Sequence, residues 1–135
     1  PCSPVRAFDV HPADPDTIIV GTGEFHREWG CGMYRTTNAG VSWDEIDLLG
    51  QVFTVPDYFM RLRYKPDDPN VVLAASSSLM LCSPDGGSTW TRATFASGGL
   101  ASGVWNDFVF HPDDPELVFA VRCSQVPNPT GPNPM

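Results

Sequence analysis

The chain has 135 residues, of which 8 are basic and 16 are acidic, so its formal net charge is −8. This acidic balance argues against nucleic acid and anionic membrane surfaces as partners, because both require clustered lysine and arginine. No run of 18 apolar residues occurs, so the sequence predicts no transmembrane helix and no membrane insertion.

The first elements in chain order are two short strands joined by a proline-aspartate turn. Residues 5–10 and 17–22 are predicted strands, and His11-Pro12-Ala13-Asp14-Pro15 lies between them. Proline fixes φ and aspartate bonds its own backbone, so this composition favours a tight turn. Residues 32–36 and 42–47 are predicted as the third and fourth strands of one antiparallel unit.

An eight-residue motif joins the third and fourth strands and occurs twice. Residues 36–43 (box 1) and 83–90 (box 2) both read hydroxyl-x-Asp/Asn-x-Gly-x-hydroxyl-Trp, and their tryptophans are 47 residues apart (90 − 43). We expect both boxes to form turns between strands, with each tryptophan at least half buried. The residues assigned to this structural role are Thr36, Asn38, Gly40, Trp43, Ser83, Asp85, Gly87 and Trp90. A catalytic or calcium-binding role is disfavoured, because the motif repeats whereas a catalytic site occurs once.

The whole unit recurs further along the chain. Strands are predicted at 59–64, 71–75, 79–83 and 89–93, and again at 105–110 and 116–121, with proline-aspartate turns at 65–69 and 111–115. The turns are 54 and 46 residues apart (65 − 11 and 111 − 65). Four short strands at such a period predict an all-β, β-propeller fragment of about two and a half four-stranded antiparallel blades, at about 5–49, 58–96 and 104–123. The proline-rich residues 126–135 are predicted to be a tail or linker.

The boxes resemble the Asp-box, or BNR repeat, of sialidase-like and sortilin-like propellers. Gly21-Thr22-Gly23-Glu24, followed by a loop and then residues 32–37, is similar to BNR-repeat proteins labelled glycosyl hydrolases. Similar blades occur in xyloglucan-active glycoside hydrolases and in a photosystem II assembly factor. The resemblance covers about residues 5–122 and implies the fold. It does not imply one activity, because these families share blades and not chemistry.

The resemblance allows two enzyme activities to be tested against the residues. Sialidases use an arginine triad, but Arg6, Arg61, Arg63 and Arg122 do not align at one repeat position. A xyloglucan-type hydrolase uses two carboxylates flanking a cleft, and no such pair can be assigned from the sequence. We therefore expect a non-catalytic recognition or scaffold module that binds carbohydrate or protein, without metal or cofactor. The alternatives are part of a glycoside hydrolase and a protein-assembly factor.

The candidate ligand site lies in the loops opposite the boxes, where lengths differ between copies. Blade one carries Glu24-Phe25-His26-Arg27-Glu28-Trp29 where blade two has only Ser76-Ser77-Ser78. Trp29 would stack on a sugar while neighbouring polar groups bind its hydroxyls. A solvated loop, or one packed against a neighbouring blade, is the alternative. The candidate ligand-binding residues are Glu24, His26, Arg27, Glu28, Trp29, Asp57, Tyr58 and Asp107.

Charged residues of the innermost strands form a second candidate surface. Alignment on the turns places Ala7, Arg61 and Asp107 at one repeat position, and Asp9, Arg63 and Val109 at another. They would either line a polar channel and bind ligand or pair with charges on neighbouring blades. Pairing is the preferred interpretation.

The four cysteines and the open sheet faces bear on the environment of the chain. Cys2, Cys31, Cys82 and Cys123 show no zinc spacing, and the alternatives are an exported protein with one or two bridges or free buried thiols. A secreted or extracytoplasmic location is favoured. Without an initiator methionine the sequence is expected to be a processed segment or fragment. Two and a half blades leave open faces, so further propeller blades or self-association are expected to cover them.

Overall fold

The computed structural model describes residues 4–23, 30–49, 51–53, 57–94 and 103–123. Two four-stranded antiparallel sheets and one two-stranded sheet follow one another along the chain. Blade 1 contains β1 (Val5–Val10), β2 (Ile18–Thr22), β3 (Met33–Thr36) and β4 (Asp44–Ile46). Blade 2 contains β5 (Phe59–Tyr64), β6 (Val72–Ser76), β7 (Met80–Ser83) and β8 (Thr91–Arg92). The half blade contains β9 (Val104–Phe110) and β10 (Val118–Cys123).

This architecture confirms the predicted fold class, an all-β partial propeller of about two and a half blades. Within each full blade the strands pair in sequence order, and the first strands of neighbouring blades contact each other, so the first strand is innermost and the fourth is outermost. Strands β4 and β8 begin two residues later than predicted, because hydrogen bonds within the boxes hold the chain in a turn up to the tryptophan. Strand β10 is also displaced, since it begins and ends two residues later than the predicted 116–121.

Box 1 is a turn closed by two side chains. The Thr36 hydroxyl accepts a hydrogen bond from the Gly40 amide at 3.0 Å, and Asn38 Oδ1 accepts one from the Ser42 amide at 2.9 Å. The backbone of Gly40 has φ +86°, a region that a residue with a Cβ occupies only with strain. The hydroxyl, amide and glycine positions of the motif therefore each satisfy a specific need of this turn.

Box 2 repeats the arrangement with a carboxylate in place of the amide. The Ser83 hydroxyl accepts from the Gly87 amide at 2.8 Å, and Asp85 Oδ1 accepts from the amides of Ser88 at 3.0 Å and Thr89 at 2.8 Å. Burial opposes ionisation of Asp85, but hydrogen bonds from Thr89, Ser83 and Ser88 outweigh it and lower its pKa. A group with a lowered folded-state pKa stabilises the fold above its unfolded pKa, and this contribution is lost as the pH falls through the folded pKa.

The boxes and the proline-aspartate turns lie on one face of the propeller, here called the turn face. In blade 1 the Ala39 amide donates to the carbonyl of Asp16 at 2.9 Å, and in blade 2 the Gly86 amide donates to the carbonyl of Asn70 at 2.6 Å. The two bonds join equivalent positions of the two blades. The expected separation of a turn face from a loop face therefore holds in both blades.

Apolar side chains pack between the blades. One core lies between blades 1 and 2, and a second lies between blade 2 and the half blade. Trp90 is only 2% exposed and packs in the first core, and its indole Nε1 donates to the Gly87 carbonyl at 3.0 Å. Trp43 is 41% exposed, so it meets the expectation of half burial narrowly. The same motif position thus has a different environment in each blade.

Each innermost strand carries a one-residue bulge at the same repeat position. The register skips Arg6 between Val5 and Ala7, Met60 between Phe59 and Arg61, and Asn106 between Trp105 and Asp107. Phe59 and Leu62 are three residues apart and are both buried in the same core, although regular alternation would place them on opposite faces. The bulge restores the shared orientation by adding one residue to the strand.

Replacing Gly87 with alanine is expected to destabilise the fold by roughly 2–4 kcal/mol, and replacing Gly40 by roughly 1 kcal/mol. Both glycines have positive φ, but an added Cβ at Gly87 would lie 2.6 Å from Ile19 Cδ1, whereas at Gly40 the nearest atom, in Trp43, is 3.6 Å away. The difference therefore measures the close approach of box 2 to blade 1. Urea denaturation of both variants is the measurement, and equal losses would show that backbone strain alone matters.

Candidate functional site

The inserted loop of blade 1 is closed at its base by the Thr22 side chain. The Thr22 hydroxyl donates to the Gly32 carbonyl at 2.8 Å and accepts from the Cys31 amide at 2.8 Å. Thr22 is 1% exposed, so this clamp is shielded from water. The predicted ligand-binding residues Glu24, His26, Arg27, Glu28 and Trp29 lie outside the described residues, and the structure describes the two ends of their loop.

Blade 2 has the same clamp around a much shorter loop. The Ser76 hydroxyl, at the position equivalent to Thr22, accepts from the Leu79 amide at 2.9 Å, and its single proton is shared between the Leu79 carbonyl at 3.0 Å and the Asp57 carboxylate at 2.8 Å. Nine residues (23–31) lie between Thr22 and Gly32, but only two (77 and 78) lie between Ser76 and Leu79. Blade 1 therefore carries a seven-residue insertion between otherwise equivalent anchors.

The base of this insertion lies against Asp57 and Tyr58. A Cβ added to Gly30 would lie 2.2 Å from the Asp57 carbonyl oxygen and 2.5 Å from the Thr22 carbonyl oxygen. A Cβ added to Gly23 would lie 2.3 Å from Tyr58 Cβ. Only glycine fits at such distances, so Gly23 and Gly30 allow the ends of the insertion to contact the segment before β5. The structure thus places two predicted site residues beside the ends of the predicted loop.

The Asp57 carboxylate is held by the short loop of blade 2. Its Oδ1 accepts from the Tyr58 amide at 2.8 Å and from the Ser77 hydroxyl, and its Oδ2 accepts from the hydroxyls of Ser76 at 2.8 Å and Ser78 at 2.5 Å. The residue is 6% exposed. These bonds give Asp57 a clear structural role, because one carboxylate orders all three serines of the loop.

Tyr58 is half buried beside this carboxylate. Burial raises the pKa of its phenol, and a hydrogen bond with Ser77 acts in the opposite direction. Its carbonyl also accepts from the Ser77 amide at 3.1 Å. A neutral phenol at this position presents an aromatic face with a polar edge, which suits either packing or ligand contact.

Charges on the innermost strands pair between blades, which confirms the preferred interpretation. Arg61 on β5 binds Asp107 on β9 through two contacts, at 2.5 and 3.1 Å. Arg63 on β5 lies 3.7 Å from Asp9 on β1, and the Tyr64 amide donates to Asp9 at 2.9 Å. Asp107, also predicted as a ligand-binding residue, is therefore joined to blade 2. It lies on a different strand from the inserted loop and from Asp57.

A cleft of about 120 Å³ opens beside the insertion on the loop face. It extends between the carboxyl-terminal end of the insertion, strand β4 and the segment leading to β5. Its lining residues are Gly30, Cys31, Gly32, Glu45, Ile46, Asp47, Leu48, Leu49, Phe53, Asp57 and Phe59. Glu45 in β4 and Asp47, which directly follows β4, are exposed and alternate with buried Ile46, so the pattern places both carboxylates on the same side of the chain. The sequence reasoning missed both carboxylates, although their alternation with an isoleucine was a visible signal.

The cysteines have different states. Cys31, in the cleft wall, is disulfide-bonded, whereas Cys82 and Cys123 are free. Burial raises the pKa of the Cys82 thiol. Within the described residues no group of three or more histidine, cysteine, aspartate or glutamate side chains is placed to hold a metal ion. No described helix is long and apolar enough to cross a membrane.

Comparison with known proteins supports the fold. No protein-family model and no curated protein matches the chain. Among solved structures, the chain is similar to an ancestral GH74 enzyme, with a TM-score of 0.56 and 17% sequence identity over 70% of this chain. The match spans 13% of the length of that enzyme. Similarity at this identity shows the fold alone.

Proposed function

We propose that this chain is part of an Asp-box, or BNR-repeat, β-propeller and that it acts as a recognition module for carbohydrate. The observation that carries the proposal is the seven-residue insertion of blade 1. Its two ends lie beside Asp57, Tyr58 and the cleft on the loop face. Binding residues are often placed on variable loops that a rigid scaffold positions. The insertion contains two aromatic and four ionisable side chains in residues 24–29, a composition that the shared blade does not require.

The chemistry of a sugar fits these groups. A pyranose ring presents an apolar face of C–H groups and a rim of hydroxyls. Trp29 would stack on the apolar face, and Glu24, His26, Arg27 and Glu28 would bind hydroxyls. The cleft adds an apolar wall at Leu49 and Phe53, with Glu45 and Asp47 as acceptors. The lining of the cleft, largely apolar with a few polar groups, is similar to that of small-molecule sites, but its volume of about 120 Å³ is below their usual range of roughly 300–1,000 Å³.

Replacing Trp29 with alanine is expected to weaken glycan binding by about 1–3 kcal/mol, because an aromatic anchor is lost. The melting temperature should change little. A glycan array identifies the ligand, and calorimetry with that glycan measures the loss. Trp43→Ala is the matched control, since it removes a half-exposed tryptophan on the turn face and should leave affinity unchanged. If the Trp29→Ala and Trp43→Ala variants bound the glycan with equal affinity, Trp29 would be excluded from the site.

A glycoside hydrolase is the second candidate, favoured by the likeness to the ancestral GH74 enzyme. Hydrolysis requires two carboxylates flanking the scissile bond. Glu45 and Asp47 are the exposed carboxylates of the cleft and are the residues to test. Release of reducing sugar from xyloglucan, abolished by Glu45→Gln or Asp47→Asn, would favour the enzyme. Glycan binding without release would favour the recognition module.

We also propose a secreted or extracytoplasmic location. Stable disulfides form in oxidising compartments, and Cys31 is disulfide-bonded. Peptide mapping without reductant should recover Cys31 in a cross-linked peptide and Cys82 and Cys123 as free thiols. Quantitative alkylation of Cys31 in the native protein would contradict this proposal.

A further inference from the structure

A cavity of about 340 Å³ lies between the innermost strands of blades 1 and 2, β1 and β5, and is here called the inner cavity. It shares no lining residue with the cleft beside the inserted loop. Its lining includes Arg6, Arg61 and Arg63, three of the 8 basic residues of the chain, and one acidic residue, Asp9. The volume falls within the usual range of small-molecule sites, roughly 300–1,000 Å³. Positive charge is therefore concentrated in one cavity of a chain whose net charge is −8.

Two of the three guanidinium groups are held in place by neighbouring strands. Arg61 donates to the Asp107 carboxylate through Nε at 2.5 Å and Nη2 at 3.1 Å. Arg63 Nη1 donates to the carbonyls of Phe8 at 3.2 Å and Leu62 at 3.1 Å. Each guanidinium carries more N–H groups than these contacts use. The side chains of Arg61 and Arg63 are 37% and 39% exposed, so a ligand can reach the remaining donors.

Arg6 supplies the positive charge that the pairing between blades does not offset. The carboxylates that pair with Arg61 and Arg63 balance those two charges, and Arg6 is added to them. Arg6 is the exposed bulge residue of β1, and its equivalents in β5 and β9 are Met60 and Asn106. The repeat therefore does not require a charge at this position. Bulges often re-aim a side chain beside a functional site, which is consistent with a binding role for Arg6.

The loop-face end of the inner cavity lies close to the start of the inserted loop. Val5, the residue before Arg6, pairs with Thr22, which closes the base of the insertion. The Gly23 amide, at the start of the insertion, donates to the Pro4 carbonyl at 3.0 Å. Arg6 is thus two residues along β1 from the residue that contacts the insertion. A ligand bound by the insertion would have an anion-binding group beside it.

We propose that the inner cavity binds the oxyanion group of an acidic sugar through the guanidinium groups of Arg6, Arg61 and Arg63. Arginine suits this role, because its planar group of N–H donors matches the oxygens of a carboxylate or a sulfate and keeps its charge at any physiological pH. The oxyanion site follows from the cavity and its charges, whereas the choice of a sugar as its carrier rests on the proposed carbohydrate function. A uronate and a sulfated sugar share the required chemistry.

The test is a titration of the nitrogen-labelled chain, followed by its amide chemical shifts, with glucuronate, glucose sulfate and glucose as probes. An acidic sugar should shift the amide signals of β1 and β5, whereas glucose at the same concentration should not. Binding should weaken as NaCl is added, because exposed charges are screened. A response to glucuronate alone assigns a carboxylate, and a response to glucose sulfate alone assigns a sulfate ester. Equal shifts with all three sugars, or none with either acidic sugar, would overturn the proposal.

Substitution of Arg6 tests the location of the site. Arg6→Gln should weaken binding of the acidic sugar by about ten-fold, because one charge-assisted contact is lost, and Arg6→Lys should lose less. Arg92→Gln is the matched control, since Arg92 is an exposed arginine of the outermost strand β8 and should leave affinity unchanged. Circular dichroism verifies that each variant folds. If Arg6→Gln bound as tightly as Arg92→Gln, the inner cavity would not be the site.

Inorganic sulfate separates this proposal from the carbohydrate function on which its sugar depends. Sulfate should shift the same amides of β1 and β5, more weakly than the acidic sugar does, and Arg6→Gln should reduce that shift. Sulfate binding together with a negative glycan array would leave the oxyanion site standing and remove the sugar. Binding of sulfate as tight as that of either acidic sugar would assign a free anion and would overturn the acidic sugar as ligand.

Discussion

Replacing Trp90 with alanine is expected to lower the free energy of unfolding by about 3–5 kcal/mol, the largest loss predicted for this chain. The indole is 2% exposed in the core between blades 1 and 2, and its Nε1 donates to the Gly87 carbonyl at 3.0 Å. The substitution removes apolar contacts and leaves a cavity at the seam. Domains of this size have total stabilities of about 5–15 kcal/mol, so a measurable unfolded population should appear.

Trp43 provides the matched control for this prediction. It occupies the same position of the same motif but is 41% exposed. Trp43→Ala should cost roughly 1 kcal/mol, because less apolar surface returns to water. Urea denaturation followed by circular dichroism measures both variants. If the two losses were equal, the tryptophan would stabilise its own box, and packing between the blades would contribute little.

Replacing Gly30 with alanine is expected to destabilise the fold by about 3 kcal/mol and to displace the ends of the inserted loop. The added Cβ would lie 2.2 Å from the Asp57 carbonyl oxygen and 2.5 Å from the Thr22 carbonyl oxygen. Both obstacles are backbone atoms, one at the end of β2 and the other two residues before β5, so neither can move cheaply. Thermal unfolding reports the stability, and glycan calorimetry reports the loop.

Gly32→Ala separates this steric effect from backbone strain. Gly32 has φ +96°, and an added Cβ there would meet no atom within 4 Å. The Gly32→Ala variant should therefore lose roughly 1 kcal/mol of unfolding free energy, the cost of a positive φ without a clash. Wild-type stability and affinity in the Gly30→Ala variant would show that the insertion is not packed against Asp57.

The sequence predicted the blades because their pattern is local and repeated. Turn residues at fixed spacing placed β1 and β5 at their observed boundaries, and the boxes fell between the expected strands. The pairing of Arg61 with Asp107 was also predictable, because opposite charges occupied one repeat position in neighbouring copies. The ends of β4 and β8 were less predictable, because hydrogen bonds inside each box compete with strand pairing.

The surroundings of the candidate site could not be read from the sequence in the same way. Asp57 is 19 to 21 residues from the three serines that bind its carboxylate. The contact of Gly30 with Asp57 instead joins blade 1 to the segment before blade 2. The first set of contacts depends on how segments of one blade fold together and the second on how blades stack, and no local propensity records either. The equivalence of Thr22 and Ser76 was visible as two hydroxyl residues at one repeat position, but only the structure shows that each closes a loop.

The bulges at Arg6, Met60 and Asn106 divide each innermost strand into two segments that can be oriented independently. Deleting Met60 would move the side chains of Phe59 and of the residues before it to the opposite face of the sheet. Leu62 and Tyr64 would stay on the face that they occupy now. Asp57 and Tyr58 would then turn away from the inserted loop, although the opposite end of the blade would be undisturbed. A single inserted or deleted residue can therefore reorient the side chains at the loop face without altering the turn face. Related chains could change their ligand in this way with one mutation.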